Sequence, residues 1–167
     1  MSHRDQFTFC PQCATRLEEK LHLGEMRPVC PVCGWVHYLD PKVACAALLV
    51  QEGRVLLVRR SMQPHRGLWS LPAGFMNAYE RAEEAVVREV REETGLETRV
   101  ERLFDLFSGR EHPRGADLFL VYLVWQTGGT LAAGDDASEA AWFPLDQLPG
   151  LAFASTQKIL SAARTLS

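Results

Sequence analysis

Residues 74–96 read GFMNAYERAEEAVVREVREETGL, and this stretch decides how the rest of the chain is read. No Gly or Pro interrupts it from about Ala78 to Thr94, and Ala82, Val86 and Val90 recur every fourth residue. That period predicts an amphipathic helix, stopped by Gly95. Glu89, Glu92 and Glu93 stand at i, i+3 and i+4, so they share one face of it. Like charges at that spacing repel. A solvated surface helix would set a Lys four residues after each Glu, whereas only Arg88 and Arg91 lie among these acids. Two readings of the face compete: an ordinary solvated surface, or a cluster of hard oxygen ligands suited to Mg²⁺ or Mn²⁺. Glu80 either joins that cluster or caps the helix N-terminus.

Working outward, the flanks read as strands. VACAALLVQ (43–51) and RVLLVRR (54–60) are separated by Glu52-Gly53, a hairpin signal. GLWSLPAGF (67–75) is aromatic, and Pro72 and Gly74 predict an irregular loop there. TRVERLFDLFS (98–108) and DLFLVYLVWQT (117–127) predict two more strands, with Gly128-Gly129 as a turn. EAAWFPL (139–145) predicts a short strand and FASTQKILSAART (153–165) a closing amphipathic helix, begun by Ser155 or Thr156. Strands with one central and one terminal helix predict an α/β sandwich on a mixed sheet.

The N-terminal segment is built differently. CPQC (Cys10, Cys13) and CPVCG (Cys30, Cys33) are two Cys-x-x-Cys knuckles with 16 residues between them, the spacing of a four-thiolate zinc site. A two-residue spacer lets both thiolates of a knuckle point at one ion, and the second knuckle completes the tetrahedron. Residues 1–39 are too few to bury a core unaided, so metal binding would supply folding free energy. They predict a zinc ribbon, joined at YLDPK (38–42) to a main domain over 40–167. The fifth cysteine, Cys45, sits in an apolar strand and reads as a small buried hydrophobe.

The whole pattern carries more than the charge spacing does. Gly74, five residues, Glu80, seven residues, then Arg88-Glu89-Val90-x-Glu92-Glu93-x-Gly95-Leu96 resembles the Nudix box without gap or substitution. GLWSLPAG before it and EAAWFPLDQLP after it also look like Nudix hydrolases, and the resemblance extends over about residues 43–150. It implies an α/β/α sandwich and metal-dependent hydrolysis of a nucleoside diphosphate linked to another group. It also implies that Glu89, Glu92 and Glu93 hold Mg²⁺ or Mn²⁺, helped by a backbone carbonyl of Ala73 or Gly74. Arg88 resembles the box arginine, which orients a carboxylate. A further acid from a distant loop often completes such sites: Glu139 or Asp136 here, with Glu111 behind them. The general base is then Glu92 or Glu93, or else Glu139.

Such chemistry suits the residues, because metals on a glutamate cluster offset the negative oxygens that repel a nucleophile from a diphosphate. A zinc ribbon ahead of a Nudix domain is similar to two groups. NADH pyrophosphatases, which also remove NAD caps from RNA, carry a SQPWPFPxS-type segment after the box; residues 97–115, ETRVERLFDLFSGREHPRG, contain none. QPHRGLWSLPAGF (63–75) and LAFAST (151–156) instead resemble the FAD and ADP-ribose pyrophosphatases, which release AMP. A regulator that senses ADP-ribose without cleaving it is the remaining reading, and it predicts a degraded box. Arg66, Phe75 and Arg110 are the expected substrate contacts; Trp69 and Trp142 are expected to pack in the sheet core.

The totals bound partners and place. A formal net charge of −3 argues against a general nucleic-acid binder, which would show a basic stripe. No apolar run approaches the roughly 20 residues of a membrane span, and the N-terminus lacks an apolar signal core. The expected setting is the cytoplasm, with a small-molecule nucleotide as partner, and the resemblance implies a homodimer.

Overall fold

The computed structural model describes residues 7–108, 111–112 and 115–164. By its contacts the chain divides between Asp40 and Pro41 into two compact units. The first holds the antiparallel hairpin β1 (Glu18–His22) and β2 (Glu25–Val29), turned through Leu23 and Gly24, both at positive φ. That pair of conformations gives the tight mirror-image turn whose twist matches a hairpin. Each cysteine knuckle closes on itself, with the Ala14 N–H donated to the Cys10 carbonyl at 2.8 Å and the Gly34 N–H to the Cys30 carbonyl at 3.1 Å.

The second unit runs β3 (Val43–Leu48), β4 (Val50–Gln51), β5 (Arg54–Arg60), β6 (Trp69–Ser70), β7 (Ala73–Phe75), α1 (Ala82–Thr94), β8 (Leu96–Ser108), β9 (Leu118–Gly129), β10 (Ala137–Pro144) and α2 (Ala154–Ala163). One sheet has the order β7-β3-β9-β8 and is mixed, because β3 and β9 run parallel while the other pairs are antiparallel. The other has the order β10-β5-β4, with β6 also on β5.

Alternation along β3 explains the layering. Cys45 and Ala47 face a core made with Leu56, Val86 and Val90, so α1 covers that side. Ala46 and Leu48 face the opposite core with Val55, Leu57, Ile159 and Leu160, so α2 covers the other. Each such fully buried aliphatic side chain contributes about 1.5–3 kcal/mol. The result is the expected α/β sandwich on a mixed sheet. Cys45 is fully buried, and burial first, then the charge of Glu80, pushes its thiol up to about 11.

Three local expectations change. The helix begins at Ala82, not Ala78, because Tyr79 takes a φ of +68° and the Asn77 N–H folds back onto Glu80 Oε2 at 2.9 Å. The stretch around Pro72 and Gly74 is not wholly irregular: Gly74 lies in β7 and pairs with Cys45. Gly128 and Gly129 are no turn but the end of β9, paired with Glu97 and Leu96. A Cβ at Gly129 would meet the Gly95 carbonyl at 2.4 Å, so that glycine serves a close backbone approach.

Candidate active site

Helix α1 carries three glutamates on one face, and the structure treats them unequally. Glu89 and Glu93 are 7% and 5% exposed, while the Glu92 side chain is 44% exposed. Strand β7 is the reason for the difference. It is the outer strand of its sheet, and the Ala73 N–H is donated to Glu93 Oε2 at 3.0 Å. One residue on, Gly74 leaves room for Glu89: a Cβ there would lie 2.2 Å from the carboxylate carbon. Only glycine admits that carboxylate.

Arg88 ties the loop ahead of α1 to the acids. Its Nε and Nη2 donate to the two oxygens of Glu80 at 2.7 and 2.9 Å. Its Nη1 donates to Glu89 Oε1 at 2.6 Å and Glu92 Oε2 at 2.9 Å, and Nη2 also reaches the Phe75 carbonyl at 3.1 Å. Glu80 is therefore neither helix cap nor member of the acid face but the bidentate partner of Arg88. The Arg88 hydrogen bond first, and the Asn77 N–H next, hold the Glu80 carboxyl down at about 2. The cap of α1 falls to Glu84, which accepts the Arg81 N–H at 3.1 Å.

The distant acid that meets this face is Asp136. The loop before β10 docks on the end of α1, with the Ala132 N–H on the Thr94 carbonyl and the Gly134 N–H on the Glu93 carbonyl. The Asp136 carbonyl accepts both the N–H and the hydroxyl of Ser61, and its carboxyl group stands near enough to Glu93 to disfavour that group's ionised form. Burial first, and then Asp136, push the Glu93 carboxyl up to about 9 against the pull of the Ala73 N–H. Burial also raises Glu89, with Arg88 pulling it back. Two buried acids whose ionised forms are disfavoured lie on one helix face, and hard oxygen donors of this kind are the chemistry that a divalent cation stabilises.

Glu139 goes elsewhere. It follows a bulge in β10, opposite Arg59, and its half-exposed carboxylate pairs with Arg59 Nη1 at 3.5 Å. Glu111 is engaged at the start of α2, where it accepts the Ser155 N–H at 2.9 Å and the Ser155 hydroxyl at 2.5 Å.

Beside β7 opens a cleft of about 430 Å³ lined by Gly74, Phe75, Phe107, Phe119, Arg60 and Lys158, among others. Phe75, an expected substrate contact, lies at its wall. Arg66 is exposed on the neighbouring loop, and the arginine lining the cleft is Arg60, its guanidinium 5.1 Å over the Phe153 ring. Arg110 lies outside the described residues. Trp69 packs edge-on against Phe143 at 4.7 Å, and Trp142 packs against the core beneath α1. Phe107, an aromatic that the sequence also offered for stacking on a base, lines the cleft with Phe119, which sequence reasoning missed; both pack on the same core as Ala46 of β3.

In the first unit the four knuckle cysteines converge, their sulfurs all within 4.8 Å of one another. Three of the sulfur pairs stand 3.4–3.6 Å apart. A disulfide needs about 2.05 Å, whereas four thiolates at about 2.3 Å from one zinc stand nearly 4 Å apart. The Thr15 hydroxyl first, with the Thr15 backbone, holds Cys13 down at about 6. Cys33 gains a hydrogen bond at Trp35, yet contact with Cys30 and burial push it up to about 12. Such crowded thiols ionise together only around a cation, so the cysteines fit a structural metal. Among the described residues no helix is long and apolar enough to cross a membrane.

Residues 39–163 match the model of the family described as NUDIX domain, and residues 8–39 that of the family described as Nudix N-terminal. An ADP-ribose pyrophosphatase from Methanocaldococcus jannaschii is 44% identical over 70% of this chain and 69% of that one. The NAD-capped RNA hydrolase NudC from Chromobacterium violaceum is 37% identical over 90% of this chain but 53% of its own length. The chain thus spans about half the length of the NudC relatives it matches. A NUDIX hydrolase structure from Nitrosomonas europaea superposes with a TM-score of 0.85 at 27% identity, over 95% of this chain and 91% of that one.

Proposed function

This chain belongs to the Nudix hydrolase family, and on that premise we propose that it hydrolyses the diphosphate bond of ADP-ribose, FAD or a related adenosine diphosphate derivative, releasing AMP. One observation carries the reading: Glu89 and Glu93 are buried together against Ala73 and Gly74, with Asp136 on Glu93, beside a nucleotide-sized cleft. A domain kept only to sense ADP-ribose has no use for that set.

Glu89, Glu92, Glu93, Asp136 and the Gly74 or Ala73 carbonyl would hold Mg²⁺ or Mn²⁺. Bound there, a divalent cation offsets the diphosphate charge and makes a bound water more acidic. Arg88 holds the Glu80 loop and the Phe75 carbonyl against the helix, so the backbone at β7 keeps its position. Glu93 is committed to the Ala73 N–H and to Asp136, which suits an anchor. Glu92 reaches solvent, which suits it to accept the proton of the attacking water at its carboxylate. Glu139, tied to Arg59, has no part in this reading. Cys10, Cys13, Cys30 and Cys33 hold zinc, which fits a reducing, cytoplasmic setting.

A second reading, hydrolysis of NADH or of NAD-capped RNA, is favoured by the NudC match, which runs through both the ribbon and the Nudix domain. A panel of FAD, NADH, ADP-ribose, dinucleoside polyphosphates and NAD-capped RNA, with Mg²⁺ and Mn²⁺ and AMP release followed, separates the two. Preference for ADP-ribose or FAD supports the first reading; preference for the capped RNA replaces it with the second.

A further inference from the structure

Side chains buried to nine-tenths commit their polar atoms to partners, because a hydroxyl left without one is costly. Two that line the cleft do not. Thr156, in the first turn of α2, is 2% exposed, and Ser70 of β6 is 7% exposed. Neither hydroxyl makes a hydrogen bond among the described residues. β6 runs beside the chain that enters α2, with the Trp69 N–H on the Gly150 carbonyl at 3.0 Å and the Ala152 N–H on the Trp69 carbonyl at 2.8 Å. The two hydroxyls thus belong to neighbouring stretches of one wall.

The surroundings favour an anion. Arg60 and Lys158 line the same cleft, and Arg60 holds its guanidinium over the ring of Phe153, the N-cap of α2. Phe153 gives the first turn no side-chain acceptor. Glu111, the one carboxylate among the described lining residues, supplies it from the β8–β9 loop by taking the Ser155 N–H and hydroxyl. A negative group at a helix start is favoured by the free N–H groups and the helix dipole. This place is separate from the acids. Glu89 and Glu93 stand on α1, which covers one face of the mixed sheet, whereas α2 covers the other. The scissile diphosphate belongs to the acids, so an anion at α2 is a further charge on the substrate.

We propose that the first turn of α2 is an anion subsite: the Thr156 and Ser70 hydroxyls, the Ser155 N–H and Lys158 hold a phosphate ester on the ribose 2′ or 3′ oxygen of the substrate, in the place the Glu111 carboxylate takes here. This rests on the diphosphatase reading of the cleft. The subsite selects substrates whose adenosine half carries that extra phosphate, as a monoester in a small dinucleotide or as the diester that continues an RNA chain.

Calorimetry on the full chain compares AMP with adenosine 2′,5′-bisphosphate, adenosine 3′,5′-bisphosphate and the 5′-phosphorylated dinucleotide pApG. At least one of the three is expected to bind about tenfold more tightly than AMP, the effect of hydrogen bonds to a charged group. A preference confined to a bisphosphate marks the monoester, and one that includes pApG marks the RNA chain. Thr156→Val removes the hydroxyl and nearly keeps the shape, and Lys158→Gln removes the charge; each should reduce that preference to about twofold. Thr156→Val should not lower the melting temperature, because its hydroxyl bonds nothing in the protein, and Lys158→Gln keeps the test decisive if it does. Glu111→Gln, which removes the competing charge, should raise the preference by about threefold. No preference over AMP in wild type and Glu111→Gln alike, or a preference that survives both Thr156→Val and Lys158→Gln, overturns the proposal. Binding needs no turnover, so a chain that keeps the preference without diphosphatase activity loses the hydrolase reading and keeps the subsite. A chain that cleaves ADP-ribose but shows no preference loses the subsite alone.

Discussion

Replacing Gly74 by Ala adds one methyl at the tightest point of the site. The backbone there is ordinary strand, so alanine is accepted locally. The new Cβ, however, would lie 2.2 Å from Cδ and Oε1 of Glu89 and 2.3 Å from Oε2, where ordinary contact begins at 3.4 Å. The carboxylate must therefore withdraw by about 1 Å, and it leaves a place where it is 7% exposed and held by Arg88 at 2.6 Å. A misplacement of about 1 Å in a catalytic constellation lowers turnover by about 100-fold, or about 2.7 kcal/mol of transition-state stabilisation. The fold should barely notice, because the displaced group is the far end of a flexible side chain. Exchange of glycine for alanine in a strand contributes about 0.5–1 kcal/mol in the protein's favour, and the shifted ion pair takes back a similar amount. Measuring kcat, Mn²⁺ affinity by titration calorimetry and the melting temperature separates these effects. We expect kcat down about 100-fold and Mn²⁺ bound at least tenfold more weakly, with a melting shift within about 3 °C. Wild-type kcat together with wild-type Mn²⁺ affinity would refute the argument that Gly74 exists to admit Glu89.

Glu93→Gln keeps an acceptor for the Ala73 N–H and relieves the clash with Asp136, so turnover should fall at least about 1,000-fold while the melting temperature holds or rises; a large loss of stability would contradict the assignment. Asp136→Asn should lower turnover by at least about tenfold, whereas Glu139→Gln, which removes a surface pair worth about 0.5 kcal/mol, should leave kcat within about twofold. In the metal-free protein Glu93, raised to about 9, is protonated at neutral pH, so Mn²⁺ binding should release close to one proton at pH 7. Calorimetry in two buffers of different ionisation enthalpy reads that proton, and a release of none at pH 7 contradicts a Glu93 carboxyl held protonated by burial. By the same linkage, Glu93's contribution to metal-free stability is whole below about 4.5 and is lost as pH rises through about 9. Cys30→Ser should abolish bound zinc and lower the melting temperature of the ribbon; an unchanged zinc content shows that the cysteines hold no structural metal.

The spacing of the α1 glutamates was legible because a helix converts i, i+4 into adjacency without help from the rest of the fold. For the same reason Val86, Val90 and the cap at Gly95 could be read from residues 74–96 alone. Partners brought by loops were not legible. Asp136 and Glu139 are three residues apart, and what separates them is a docking contact of the Gly134 N–H on the Glu93 carbonyl. No periodicity announces that contact. Glu80 looked free to cap or to bind because its partner, Arg88, lies two turns along a helix that starts later than the Gly- and Pro-free run implied. Arg60 and Arg66 differ as cleft residues only through the path of the loop between them.

The most direct test of the account is AMP release from ADP-ribose by the purified chain with Mn²⁺, run beside its Glu93→Gln variant. The account predicts AMP and ribose 5-phosphate in equal amounts from the wild type, abolished by EDTA and lowered at least about 1,000-fold in the variant. Equal release by wild type and variant would contradict it, as would no AMP from the wild type with any adenosine diphosphate derivative and either metal.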